Sequence, residues 1–204
     1  MNKNNDVVLI TSPVLADKTR ALFENICPNG TCLVWRQGDD SEKAQIHSEL
    51  MTGKFSLGIS FYNDYIFSAE EIDSIECLVN IHPALPHLPG RGYDVLPLIR
   101  GDKNYGITLH FVINKIDSGE IIDTLSKEIP LNTSQQNLRI MNQDLSLKFL
   151  RTFLNEYKSV GKNIKHILKR KSQKLDLSWS GTFMNSSDLE NYIRIHDNIY
   201  KSNF

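Results

Sequence analysis

A chain of 204 residues, 40% hydrophobic and 23% charged, can bury a core without a disulfide or metal staple. Its net charge of -1 gives no general attraction to nucleic acid or to an anionic membrane, so neither is expected as a partner. Three cysteines, Cys27, Cys32 and Cys77, form no C-x-x-C pair and point to buried thiols in a reducing compartment.

The amino terminus, MNKNNDVVLI, reads as running straight into a strand without a leader, and no window reaches the apolar length of a membrane span. The expectation is a soluble, cytoplasmic protein. VVLIT (7–11) has the β-branched character of a buried parallel strand, and 17–26 carries a helical stripe that ends before Pro28 and Gly30. TCLVW (31–35) is a second strand, and 41–51 a second helix with Ser41 as its expected N-cap. FSLGISF (55–61), a short helix at 68–72 and the strand ECLVNI (76–81) follow. This alternation predicts an α/β fold built on an open, mostly parallel sheet flanked by helices, with ligands outside the carboxyl ends of its strands.

GITLHFVI (106–113) and EIIDTLSKEIP (120–130) read as a hairpin closed by a tight turn at Asp117-Ser118-Gly119. Thr133 is the expected cap of a long helix to Tyr157, with Leu138, Met141, Leu145, Phe149, Phe153 and Tyr157 as its apolar stripe. The basic segment 162–174 reads as a solvated face, with a phosphate-contacting patch as the alternative. In the tail, SSDLE signals a helix start. Trp179, Tyr192 and Arg194 read as packing and surface residues, with contact to a nucleotide as the alternative. The division expected is 1–157 for a catalytic domain and 158–204 for a short C-terminal extension.

The run NIHPALPHLPGRG (80–92) sits where such a sheet binds its ligand. Asn80 and His82 are two apart, so on a strand they share a face, and Pro83 and Pro86 restrain the exit. A carboxamide can donate to a developing oxyanion while an imidazole moves a proton near neutral pH. Asp117 is the candidate carboxylate to orient the histidine; taken alone, an Asp before Ser-Gly is first of all a turn former.

In order and spacing, Asn80-Ile81-His82-Pro83-Ala84-Leu85-Pro86, Arg91-Gly92, Gly101-Asp102, Gly106-Ile107-Thr108-Leu109-His110 and Asp117-Ser118-Gly119-Glu120-Ile121-Ile122 resemble the folate-dependent formyltransferase family. The resemblance implies a Rossmann-like sheet, a catalytic Asn80–His82–Asp117 triad, 10-formyltetrahydrofolate as co-substrate with no metal, and a primary amine as acceptor. It implies a pterin pocket at Phe61, Tyr62, Ile66, Leu85 and Gly119, with Arg91 and Tyr93 on the acceptor side. Asn63 stands where the family often has a glycine, and a left-handed turn is expected to survive on it. Within the family, TSPVLADKTR offers no glycine-rich phosphate loop of the glycinamide ribonucleotide type, and the segment after the long helix is short for a tRNA-reading domain. The acceptor reading that remains is a nucleotide-linked amino sugar of surface polysaccharide synthesis, with an amino acid or other small amine as alternative, and a non-catalytic folate-binding relative behind both. Such sugar enzymes resemble homodimers joined through the C-terminal region, and a homodimer is the corresponding expectation here.

Overall fold

The computed structural model describes residues 6–196. The leaderless reading of residues 1–5, and residues 197–204 of the expected extension, lie outside them. The first strand, β1 (Val7–Thr11), shows why its run is uninterrupted by polar residues. Val7 and Leu9 face one core layer, Val8 and Ile10 the other, and all are buried. Side chains alternate along a strand, so only a sheet covered on both faces tolerates such a run. The helix Ala16–Ile26 (α1) covers the first face with Leu22, Phe23 and Ile26, and Asp40–Thr52 (α2) covers the second with Ile46 and Leu50. Each such buried aliphatic or aromatic side chain contributes about 1.5–3 kcal/mol of transfer free energy.

With β2 (Thr31–Val34), β3 (Leu57–Phe61), β4 (Leu78–His82), β5 (Asn104–Phe111) and β6 (Ile121–Glu128), the sheet has the order β2-β1-β3-β4-β5-β6. The first three pairings across the sheet are parallel, and β4–β5 and β5–β6 are antiparallel. Chain direction therefore reverses beside β4, the strand that ends in His82. The short helices α3 (Ala69–Ser74) and α4 (Leu96–Arg100) flank β4 in sequence; α3 opens with a Ser68–Glu71 capping box. The long helix α5 (Gln135–Val160), α6 (Ile164–Ser172) and α7 (Ser186–Ile195) complete the described chain. Among the described residues no helix is long and apolar enough to cross a membrane.

Several local expectations change. Asp39, not Ser41, caps α2, because its carboxylate reaches Ser41 N and Glu42 N, both at 3.0 Å. Ser134 caps α5, and Thr133 instead donates its hydroxyl to Pro130 O at 2.6 Å. Leu138, Leu145, Phe153 and Tyr157 of the expected α5 stripe are buried, but the buried face also takes in Leu150, Leu154 and Asn142, while Met141 and Phe149 are half-buried. Residues 112–120 form an irregular loop, not a tight Asp-Ser-Gly turn, and β5 carries a register shift at Leu109/His110. The basic segment is α6, whose Ile164 and Leu168 enter the main core, so it is not a solvated face alone. Its Lys169 pairs with Glu120 at 2.7 Å and its Lys171 with Glu156 at 2.6 Å.

Candidate active site

Strand β4 delivers the site because its pattern breaks from apolar to polar on one face only. Val79 and Ile81 stay in the core beside α5, while Leu78, Asn80 and His82 share the opposite face. Asn80 lies opposite His110 of β5. Its Nδ2 donates to His110 Nε2 at 3.1 Å and to Asp117 Oδ1 at 3.3 Å. His110 Nδ1 donates to Phe111 O at 2.8 Å, which leaves its Nε2 free to accept from Asn80. His82 Nε2 donates to Leu88 O at 2.9 Å, and its Nδ1 faces Asp117 Oδ2 at 3.4 Å.

Asp117 is thus the hub. It sits at φ 42°, a left-handed conformation that Asp adopts more readily than most residues. Gly90 N donates to its Oδ2 at 2.9 Å, and the glycine is required there: φ is 88° and a Cβ would overlap the Met184 carbonyl. Burial by itself would raise the Asp117 pKa, but the charge that His82 carries once protonated, the neighbouring His110 and the Gly90 N–H hold it down at about 2. Burial pushes His82 below its ordinary value, against the pull of Asp117 and the Leu88 carbonyl. A neutral His82 beside an ionised Asp117 leaves two acceptors, Nδ1 and Oδ2, facing each other across a gap that one proton would bridge. That is a proton-accepting arrangement.

A cavity of about 650 Å³ opens over these groups at the carboxyl ends of β1, β3 and β4. Asn80, His82 and Asp117 line it together with Tyr62, Ile66, Arg91 and Tyr93. Tyr62 donates its hydroxyl to Tyr93, and Ile66, 57% exposed, forms a lip. Arg91 is tied to Asp64 at 2.6 Å, and Arg139 to Asp94 at 2.6 Å, so both cations of the cavity are already paired. A smaller slot continues from it between Tyr65, Ile66 and Ile116, over Ser60, Asn80, His110 and Asp117.

Three expected pocket residues do not reach the cavity. Phe61 is fully buried in the core layer, because β3 points it away from the site. Leu85 packs toward the backbone of Gly106. Gly119 lies against the Phe111 carbonyl, where a Cβ would overlap, and its own carbonyl accepts from Trp179. The left-handed residue after β3 is Tyr62 at φ 50°, not Asn63. Asn63 serves through its side chain, donating to Ile10 O and accepting from Tyr65 N, both at 2.8 Å.

Two contributors escaped the sequence reading. His110 was visible only as a motif residue; its register opposite Asn80 makes it a member of the cluster. Asn142 is buried on α5, donating to Pro83 O at 2.8 Å and Gly106 O at 3.3 Å, so it fixes the chain just after His82. A polar residue inside an apolar helical stripe was its signal, since a buried amide needs partners.

Residues 64–151 match the Formyl transferase family. Methionyl-tRNA formyltransferase of Streptococcus equi subsp. equi is 32% identical over 89 residues, 41% of this chain and 29% of that protein. The chain thus spans under a third of the length of the curated relatives it matches. Among solved structures, the N-formyltransferase from Helicobacter canadensis, in complex with folinic acid and dTDP-3-aminofucose, superposes with a TM-score of 0.60 at 17% identity, over 90% of this chain and 71% of that one. Phosphoribosylglycinamide formyltransferase from Bacillus halodurans superposes with a TM-score of 0.63 at 16% identity, over 78% of this chain and 98% of that one. Asn80, His82, His110 and Asp117 all lie within residues 64–151, the part of the chain that matches the Formyl transferase family.

Proposed function

We propose that the protein is a 10-formyltetrahydrofolate-dependent N-formyltransferase whose acceptor is the primary amine of a nucleotide-linked sugar. The observation that carries the chemistry is His82 Nδ1 facing the Asp117 carboxylate at 3.4 Å on the cavity floor, with Asn80 bound to the same carboxylate. The acceptor nitrogen bonds to the formyl carbon, and the carbonyl electron pair moves to oxygen. Of the two Asn80 donor contacts, the longer, at 3.3 Å to Asp117, is the one released toward that oxyanion. The amine proton passes to the His82–Asp117 pair, and then to the donor nitrogen as its bond to the formyl carbon breaks. The formyl group ends on the acceptor and tetrahydrofolate leaves.

The residues present suit the donor. Tyr65, Ile66 and Ile116 give apolar walls to the slot, and Ser60, Asn80 and Asp117 give it a polar floor. The slot alone, about 60 Å³, is smaller than a bicyclic ring, so a flat heteroaromatic donor would also occupy the adjoining cavity of about 650 Å³ that shares these residues. Support for the sugar acceptor comes from the Helicobacter canadensis likeness, which extends over more of this chain than the glycinamide-ribonucleotide likeness does. The start of α1 adds to it: Leu15 precedes the helix without a side-chain cap, and no glycine frees the backbone there for a phosphate. A folate donor and a nucleotide sugar would place the reaction in the cytoplasm, in the assembly of a surface polysaccharide, with residues 1–157 as the catalytic unit and 158–204 as the extension that completes it.

The test is incubation of the full chain with 10-formyltetrahydrofolate and a panel of nucleotide 3-amino and 4-amino sugars, amino acids and glycinamide ribonucleotide, reading tetrahydrofolate release. Turnover of an amino sugar is expected. Turnover of an amino acid or glycinamide ribonucleotide alone removes the sugar acceptor. Failure to bind folate and to turn over any amine removes the enzyme.

A further inference from the structure

After α6 the chain runs for more than ten residues without a helix, and most of its side chains are exposed. An unanchored segment of this kind would lose little by leaving the surface. From Ser180 to Met184 this one is bound to the loop that follows His82. Ser180 N donates to Pro86 O at 3.2 Å, Met184 N to Pro89 O at 3.0 Å, and Arg91 N to Met184 O at 2.8 Å. Gly90 and Met184 pair as a parallel bridge, and Met184 buries its side chain among Leu88, Val95 and Leu96. The strap therefore clamps the loop whose Gly90 N–H holds Asp117.

Trp179 is the residue of this strap that turns toward the histidines. Its ring stands edge-on to His110 at 4.9 Å and 88°, and to His82 at 5.7 Å and 69° between centroids and planes. Its Nε1–H donates to Gly119 O at 2.8 Å, two residues beyond Asp117. One side chain thus spans three pieces of chain: the strap, the two histidines and the loop that carries the carboxylate. A residue serving only as packing would need the ring but not the indole N–H.

From this we infer that Trp179 is a positioning residue, which roofs His82 and His110 against water and ties the Asp117 loop to the C-terminal strap. The inference deepens the formyl-transfer reading and rests on it for its kinetic consequence. The groups that face His82 are few: Asp117 from the β5–β6 loop, His110 from β5, the amide of Asn80 on its own strand, the Leu88 carbonyl, and the uncharged indole of the strap. Beyond them, the paired Arg91–Asp64 and Arg139–Asp94 line the same cavity. Desolvation is the largest influence on His82 and keeps it neutral, hence able to accept the amine proton. Removing the roof admits water and moves His82 back toward an ordinary imidazole.

The test pairs two variants of the full chain. Histidine Cε1–H resonances are titrated by NMR, with His82→Asn assigning the His82 signal, and kcat and KM are measured across pH with the amine that the parent turns over. Trp179→Ala should raise the His82 midpoint toward that of an ordinary imidazole, since desolvation is the largest cause holding it down. It should lower kcat at least tenfold, with both KM values within threefold. Trp179→Phe keeps a ring and loses the N–H, so the midpoint should stay while kcat falls several-fold. An unmoved His82 midpoint in Trp179→Ala, with kcat within twofold of the parent, overturns the inference even if the melting temperature drops. If Trp179→Ala does not fold, parental kcat in Trp179→Phe overturns it. The titration needs no substrate, so a parent that formylates nothing would defeat the functional reading while the roof over His82 is still decided by its midpoint.

Discussion

The run NIHPALPH contains two histidines five positions apart, and each meets an aspartate. His87 Nε2 and Asp102 are 3.0 Å apart, closer than His82 Nδ1 and Asp117 at 3.4 Å. Distance alone would rank the outer pair first. The side chains of the outer pair are 39% and 23% exposed, those of the inner pair 5% and 7%. Water competes for the outer pair, and such surface pairs contribute about 0–1 kcal/mol. The inner pair is cut off from water, meets Asn80, His110 and the Gly90 N–H, and opens on a cavity. Chemistry follows the environment of the pair, not its length.

The largest expected effect comes from neutralising the inner carboxylate. Asp117→Asn keeps the shape and tolerates the left-handed backbone, but offers His82 a neutral amide in place of a negative charge. Tetrahydrofolate release should fall by about a thousandfold or more while the far-UV circular dichroism is unchanged. Activity within tenfold of the parent would put the inner pair on the same footing as the outer one. Asn80→Ala comes next, at about a hundred- to a thousandfold in kcat, the usual cost of one oxyanion donor. Under the proposed mechanism its effect should fall mainly on kcat, because the donor would act on charge that develops during transfer.

How much of this was legible in the sequence depends on what each feature requires. The run VVLIT and the alternation around it told of a two-sided sheet because burial on both faces forbids polar residues anywhere in a central strand. Asn80 and His82 were legible as a pair because strand geometry is local. Phe61 was misplaced because a strand residue at a pocket mouth faces either the pocket or the core, and one position decides which. The cap of α2 went to Asp39 by a shift of two residues, well inside the usual uncertainty of a helix boundary. His110 and Trp179 depend on register and on a strap that crosses some ninety residues of sequence to reach the loop after β4, and no local pattern encodes such a meeting.

Acid separates the two pairs by a smaller factor. His82 is held below its ordinary value by burial, so its neutral, proton-accepting form persists to a pH below about 6.5. The rate should stay flat through that value and then fall about tenfold per pH unit, while Asp117, near 2, remains ionised throughout. Stability follows the same direction. Both folded-state values lie below their unfolded ones, so the unfolded chain binds protons first and stability is lost as pH falls, through His82 and then Asp117. Thermal melts from pH 7 to 4 should show the decline, and His82→Asn should flatten its upper part. A rate limb centred at or above 6.5 would mean that the proton acceptor is a solvated histidine.

The smallest effect is expected where the contact is shortest. His87→Ala removes the 3.0 Å contact to Asp102 and leaves both groups' surroundings to water. The backbone that shapes this loop does not depend on the imidazole: Leu88 N still donates to Leu85 O at 2.9 Å, Asp102 N to Pro97 O at 2.8 Å, and the strap still packs Gly181 against the His87 carbonyl. Formyl transfer should therefore remain within twofold, and the unfolding free energy within about 1 kcal/mol, the range for an exposed ion pair. Asp102→Asn should match it on both measures. A tenfold loss in either variant would show that the outer pair supports the floor of the site through the Pro-rich loop, and burial would no longer suffice to tell the two apart.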